Sequence, residues 1–230
     1  MSSRILNRLL AFDKTYAEGL TGLLAGIDEA GRGPLAGPVV AAAVILLRPI
    51  RIKSDFAFLN DSKQVSAKTR ELLFRKISQY AIVGIGVADE NQIDTLNIYQ
   101  ATRVAMKRAV LALSRTPDLL LIDGNMKLDL PLAQRAIVGG DAKSASIAAA
   151  SIIAKVHRDA WMEHLDKIYP EYQFKNHKGY GTPAHLKKIR QIGPSPVHRK
   201  SFAPNALCHS RESGNLGIMD PRLRGDDTLL

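Results

Sequence analysis

Short apolar runs bounded by glycine, proline or aspartate alternate with stretches whose apolar residues recur every three or four positions. Leu23–Asp28 and Val39–Leu47, rich in small and β-branched residues, predict two strands. Ala81–Ala88, Leu119–Asp123 and Arg135–Val138 predict three more. Helical spacing appears first in residues 1–20, where Ile5, Leu9 and Phe12 form an amphipathic lead-in. It returns over Ala67–Tyr80, with Leu72, Leu73 and Ile77 on one face, and over Ile93–Ser114, with Val104, Ala105, Ala109, Ala112 and Leu113 as a stripe. A helix of about Ser144–Ile168 follows and ends before Pro170. Ala148, Ala149, Ala150 and Ala154 allow its first half to pack closely, and Trp161 is expected in the core of its second half. Residues 171–205 have a loop-and-helix pattern.

Two strands joined by a short turn, then strands alternating with helices, predict an α/β domain. A mixed five-stranded sheet flanked by helices is expected, with a helical C-terminal part at about 142–205 of a domain covering 1–205. The periodicity disappears over 206–230, as in Ser210-Arg211-Glu212-Ser213-Gly214-Asn215. That stretch resembles translated intergenic repeat sequence and is expected to be a disordered tail without function.

Composition narrows the class. A chain of 230 residues, 46% hydrophobic, buries one sizeable core, with room for a subdomain. Lys and Arg total 32 against 22 Asp and Glu, a net charge of +10 that suits a polyanionic partner such as nucleic acid. The single cysteine, Cys208, excludes an intramolecular disulfide and a cysteine-rich zinc site, and a reducing, cytoplasmic setting is expected. Arg4 and Arg8 interrupt the apolar residues at the N-terminus, so no signal-peptide core forms. The longest apolar run, Val39–Leu47, is far shorter than the roughly 20 residues that span a bilayer, so no membrane association is expected.

Candidate chemistry gathers at strand ends. Gly26-Ile27-Asp28-Glu29-Ala30-Gly31-Arg32-Gly33 puts two carboxylates at the end of the first strand, beside a glycine-bracketed arginine. Glycine lets the backbone lie against a substrate, and carboxylate oxygens beside a basic group suit a divalent metal and a phosphate. Asp123 ends the fourth strand and Asp141 follows the fifth. Taken singly, Asp123 could start a turn and Asp141 could cap a helix. Converging at buried strand termini, however, four such charges repel, and a divalent cation relieves the repulsion. Neighbouring strand residues face opposite ways, so Glu29 is expected to join Asp28 through a break at Ala30-Gly31 or through its carbonyl. There is no His-Glu-x-x-His spacing, no Gly-x-Ser-x-Gly elbow and no Walker-type loop.

These residues carry a resemblance. Gly26–Val40, Leu59-Asn-Asp-Ser-Lys63, Leu121–Asn125 and Gly139-Gly-Asp141 are similar to motifs of the ribonuclease HII family. So are Ser146–Asp159, His177-Lys-Gly-Tyr-Gly-Thr182 and His198-Arg-Lys-Ser-Phe202, and the likeness covers roughly residues 20–205. The resemblance implies a ribonuclease H-like fold and an endoribonuclease. Its substrates would be RNA–DNA hybrids, cut in the RNA strand, and duplex DNA, nicked 5′ of an embedded ribonucleotide.

It further implies that Asp28, Glu29, Asp123 and Asp141 hold catalytic Mg²⁺ or Mn²⁺. Two ions roughly 4 Å apart would serve an in-line attack of water, leaving 5′-phosphate and 3′-hydroxyl ends. Gly31, Arg32 and Gly33 would read the ribose 2′-hydroxyl, and Tyr180 would pack on the following deoxyribose. Lys63 and Lys178, inside matched motifs, are expected to contact phosphates; Lys143, Arg158 and Arg199 are further candidates, each with the alternative of a solvated surface charge. A monomer is expected.

Three rivals are weaker. Gly31-x-Gly33-x-x-x-Gly37 resembles a dinucleotide loop, but Pro38 and a strand follow where that motif needs a helix. A non-catalytic binding module does not need all four carboxylates. The sister type, ribonuclease HIII, carries a substantial N-terminal domain, whereas about 20 residues precede the first strand here.

Overall fold

The structure, a computed structural model, describes residues 2–18, 22–47 and 66–202. In chain order it contains α1 (Ser2–Ala17), β1 (Leu24–Ala30), β2 (Val39–Leu46), α2 (Ala67–Tyr80), β3 (Ala81–Ala88), α3 (Glu90–Leu96) and α4 (Ile98–Leu111). β4 (Leu119–Asp123), β5 (Ala133–Ile137), α5 (Ala145–Ile168), α6 (Phe174–His177) and α7 (Pro183–Ile192) follow. Two compact units result. Among the described residues, the first takes residues up to 32, 38–88 and 98–158; the second takes 33–37, 89–97 and 159–202.

The first unit is built on one sheet, ordered β3-β2-β1-β4-β5. β1 pairs antiparallel with β2 and parallel with β4; β2–β3 is antiparallel and β4–β5 parallel. This is the mixed five-stranded sheet the sequence predicts. Gly84 and Gly86 of β3 let α4 lie against the sheet, because a Cβ at either would strike the carbonyl of Ala109 or Ala105. On another side, the alanines of α5 pack with Leu6 and Leu9 of α1, Leu73 and Ile77 of α2, and Ala42 and Val44 of β2.

Asp13 locks α1 to the start of α5. Its Oδ2 accepts the Ser146 amide at 2.8 Å and the Ser146 hydroxyl at 2.7 Å, both buried. Asp13→Ala therefore leaves a buried amide unsatisfied at a helix start, a loss of about 1–3 kcal/mol. A urea melt should show that loss while kcat stays at the parent value; an unchanged midpoint would remove Asp13 from the fold's supports.

The second unit has its own core of Met162, Leu165, Tyr169, Tyr172, Phe174 and Ile189. Asp94 of α3 accepts the Lys200 and Ser201 amides, each at 2.9 Å, and so ties down the 3-10 turn Lys200–Phe202.

Four expectations need correction. The predicted helix Ile93–Ser114 is two helices, because Asn97 adopts φ 67° and ends α3, and α4 stops at Leu111. Asp89, whose side chain accepts the Gln92 amide at 2.8 Å, starts α3 earlier than predicted. β1 runs on to Ala30, and β5 begins at Ala133 and ends at Ile137. Trp161 is 36% exposed, since Met162 and Leu165 take the inward face of α5.

Candidate active site

The sheet register brings two carboxylates together. Ile27 of β1 pairs with Ile122 of the parallel β4, so Asp28 and Asp123 follow side by side where the pairing of the two strands ends. Asp28 is 5% exposed and accepts the Glu29 amide at 2.7 Å. Burial, first, and then repulsion from Glu29 and Asp123 hold its carboxyl well above the usual range, against a hydrogen bond from Ser151 of α5. Burial also raises Glu29, aided by Asp123 and opposed by Arg32.

The neighbouring Asp28 side chain also opposes the rise in Glu29. The expected break at Ala30-Gly31 falls after β1, not beside Glu29. β1 stays paired through Glu29↔Ala41 and Ala30↔Val40, and Glu29 meets Asp28 through its own amide, which donates to Asp28 Oδ1.

The other two acids are not local caps. Asp123 Oδ1 accepts the Gly140 amide at 2.6 Å, across 17 residues, and so binds the end of β4 to the 3-10 turn Gly140–Ala142 that carries half-buried Asp141. Ser144, not Asp141, caps α5, its hydroxyl accepting the Ile147 amide at 3.2 Å. The first unit thus gathers Asp28, Glu29 and Asp123, and Asp141 adjoins the residue that Asp123 holds. Among the described residues, no three His, Cys, Asp or Glu side chains form a ready-made metal cluster. Glu29 turns to Arg32, at 3.3 Å, and Asp123 to Gly140. The donor set nevertheless fits a hard cation: it is all oxygen, with Asp28 buried and Glu29, Asp123 and Asp141 half-buried, and crowding by like charges raises the Asp28 carboxyl.

Gly31 opens the turn after β1 with φ +98°, and a Cβ there would strike the side chain of Arg158. Arg158 is 0% exposed, with its Nε donating to the Pro38 carbonyl at 3.0 Å. In the second unit Arg199, also 0% exposed, donates from Nε and Nη2 to the Gly37 carbonyl at 2.9 and 2.7 Å. Neither arginine is a phosphate contact or a solvated charge, as the sequence suggested; both are braces for the chain between β1 and β2. One signal was readable: Ile147, Ser151, Ala154 and Arg158 form a continuous buried stripe at helical spacing on α5.

Arg32 is half exposed beside Glu29. In the second unit, Gly33 lies against Tyr180, whose ring a Cβ at Gly33 would meet at 3.8 Å, and Tyr180 is 46% exposed. Lys178, at φ +50°, pairs with Glu163 at 2.7 Å. Lys143 is exposed and donates to the Val138 carbonyl at 2.6 Å. Lys63 lies outside the described residues.

A mixed sheet with acids at the ends of β1 and β4 defines an α/β protein of the ribonuclease H-like class. A family model described as Ribonuclease HII matches residues 25–205, and the chain belongs to that family, whose enzymes cut RNA in RNA–DNA hybrids. It is 56% identical over 183 residues to a ribonuclease HII from Enterococcus faecalis, covering 79% of this chain and 70% of that one. It is 57% identical over 202 residues to a ribonuclease HII from Bacillus pumilus, covering 86% and 76%. The crystal structure of the ribonuclease H2 from Pyrococcus horikoshii OT3 superposes with a TM-score of 0.68 at 27% identity, over 84% of this chain and 100% of that one. No helix among the described residues is long and apolar enough to cross a membrane.

Proposed function

We propose that this enzyme nicks duplex DNA 5′ of an embedded ribonucleotide, as well as cutting RNA–DNA hybrids, and that Asp28, Glu29, Asp123 and Asp141 hold its catalytic metals. The observation that carries the metal assignment is the side-by-side exit of Asp28 and Asp123 from parallel strands, with the Asp28 carboxyl raised by burial and by repulsion from Glu29 and Asp123. Bound there, Mg²⁺ or Mn²⁺ supplies activation of the attacking water and neutralisation of charge on the leaving 3′-oxygen.

The protein's own groups do the rest. Ser151 orients Asp28, and the Gly140 amide orients Asp123, so two acids are fixed before a substrate arrives. The backbone at Gly31, Arg32 and Gly33 approaches the ribose and accepts or donates a hydrogen bond at its 2′-hydroxyl, the group that separates RNA from DNA. Tyr180 offers an exposed ring to the next sugar, and Lys178, with Lys63, neutralises backbone phosphates without reading sequence. The net charge of +10 supports a nucleic-acid substrate.

The test is a nicking assay on a DNA duplex with one ribonucleotide, in Mg²⁺, in Mn²⁺ and with chelator. A cut immediately 5′ of the ribonucleotide that chelator abolishes is expected. Cleavage confined to long hybrids would retire the junction role of Gly31, Arg32 and Gly33.

A further inference from the structure

In the second unit three histidines, His177, His185 and His198, surround Phe174. His177 stacks on His185 with ring centroids 4.2 Å apart. Nε2 of His185 lies 3.0 Å from Nε2 of His198, and both rings are buried. Donor and acceptor rules fix where each proton sits. The Ser195 amide can only donate, and it stands 2.9 Å from His198 Nδ1, so that nitrogen is an acceptor. The neutral His198 ring therefore carries its proton on Nε2 and donates it to His185 Nε2. His185 must then hold its own proton on Nδ1, 2.9 Å from the Tyr180 carbonyl, which can only accept. The two ends of this chain are set independently, and they demand the same direction.

The chain ends on a turn that needs support. Lys178 and Gly179 take φ +50° and +81°, and for a lysine such a conformation is strained. His177 holds the turn from the other side, accepting the Gly179 amide at Nδ1 and donating from Nε2 to the Tyr172 carbonyl. The Tyr180 carbonyl also accepts the Thr182 amide at 2.8 Å, so both its lone pairs are used. What the turn exposes is the Tyr180 ring.

We propose that His185 and His198 are positioning residues for Tyr180: the chain from Ser195 through both imidazoles to the Tyr180 carbonyl holds the 177–182 turn in the form that presents the ring to a sugar at the RNA–DNA junction. This rests on the role given to Tyr180 above. Burial pushes His185 down to about 4 and His198 down to about 3; the charge of His177 adds to both, and that of His185 adds to the shift of His198. The other groups packed on the pair are Phe174 and Tyr172, whose hydroxyl donates to the Gly193 carbonyl. Both folded values lie below the 6.5 of a free histidine. The neutral pair's stabilisation is thus complete above pH about 6.5 and is lost as pH falls through the folded values, because the unfolded chain takes up the protons first.

The test labels the enzyme with 3-fluorotyrosine, assigns the Tyr180 resonance with Tyr180→Phe, and compares His185→Leu with His185→Asn, which keeps an N–H directed at the Tyr180 carbonyl. In His185→Leu the Tyr180 resonance should shift, and cleavage of a single-ribonucleotide duplex should fall by about 10²-fold, the order expected for a misplaced contact. His185→Asn should recover most of both. Adding Tyr180→Ala to His185→Leu should bring no further loss, as a residue acting only through Tyr180 requires. An unmoved resonance, or losses that multiply, would overturn the proposal. A moved resonance together with full activity in Tyr180→Ala would leave the positioning intact and retire the sugar contact. Imidazole nitrogen NMR on the parent enzyme is the check that needs no variant: Nδ1–H on His185 and Nε2–H on His198 are expected, and matching tautomers or a charged ring at pH 7 would also overturn it.

Discussion

Replacing Asp123 by asparagine is expected to abolish cleavage while leaving the protein more stable than the parent. Removing a single transition-state donor costs on the order of 10²–10³ in kcat, and loss of a full ligand charge should cost at least that. Stability moves the other way because Asp123 is one source of the repulsion that raises Asp28 and Glu29. Groups raised in the folded state stabilise it fully only below their unfolded values, and that stability is lost as pH rises through the folded ones. Asparagine relieves part of this loss at neutral pH. A gain of about 1 kcal/mol would raise Tm by about 2–4 °C in a chain of this size. Duplex binding should persist, since the basic surface is untouched. Turnover at the parent rate would remove the metal assignment; inactivity with a lowered Tm would instead make Asp123 a structural residue.

Gly31→Ala is the second large effect. The alanine must adopt φ near +98°, a strain of about 1–3 kcal/mol, and its methyl group falls on the buried side chain of Arg158. Relief can come only by moving the turn or by pulling Arg158 from the Pro38 carbonyl. Either shifts the backbone assigned to the 2′-hydroxyl, and a displacement of about 1 Å costs about 10²-fold in kcat/KM. The loss should appear on single-ribonucleotide duplexes with metal affinity unchanged, because Asp28 and Asp123 belong to the paired ends of β1 and β4. Parent-like kinetics would show that Gly31 and the turn it opens do not touch the substrate.

Much of the fold was legible wherever one periodicity governed a whole segment. α2, β3 and β4 fall at the residues the pattern predicts, because each is a continuous run with one buried face. The four acids were legible because a carboxylate at the end of an apolar run stands out against its neighbours. What escaped depended on single residues or distant partners. Asn97 divides a helix by adopting a positive φ, and nothing in the apolar stripe marks it. Arg158 and Arg199 resembled surface cations because their acceptors, the carbonyls of Pro38 and Gly37, lie 120 and 162 residues away in the chain. The histidine relay was equally hidden, since hydrogen-bond direction is a property of geometry alone.

The clasp between Asp13 and Ser146 bears on how the chain is made. Its two residues are 133 positions apart, so a ribosome adding about 5–20 residues per second needs roughly 7–27 s to supply the second after the first. Through that interval α1 has emerged, but the α5 alanines that cover Leu6 and Leu9 have not been synthesised. The nascent protein therefore leaves the apolar face of α1 open to solvent for most of its synthesis, and closure of the first unit waits until α5 is out. Conditions that slow translation between β2 and α5 should lower the yield of folded enzyme more than the same delay after residue 170.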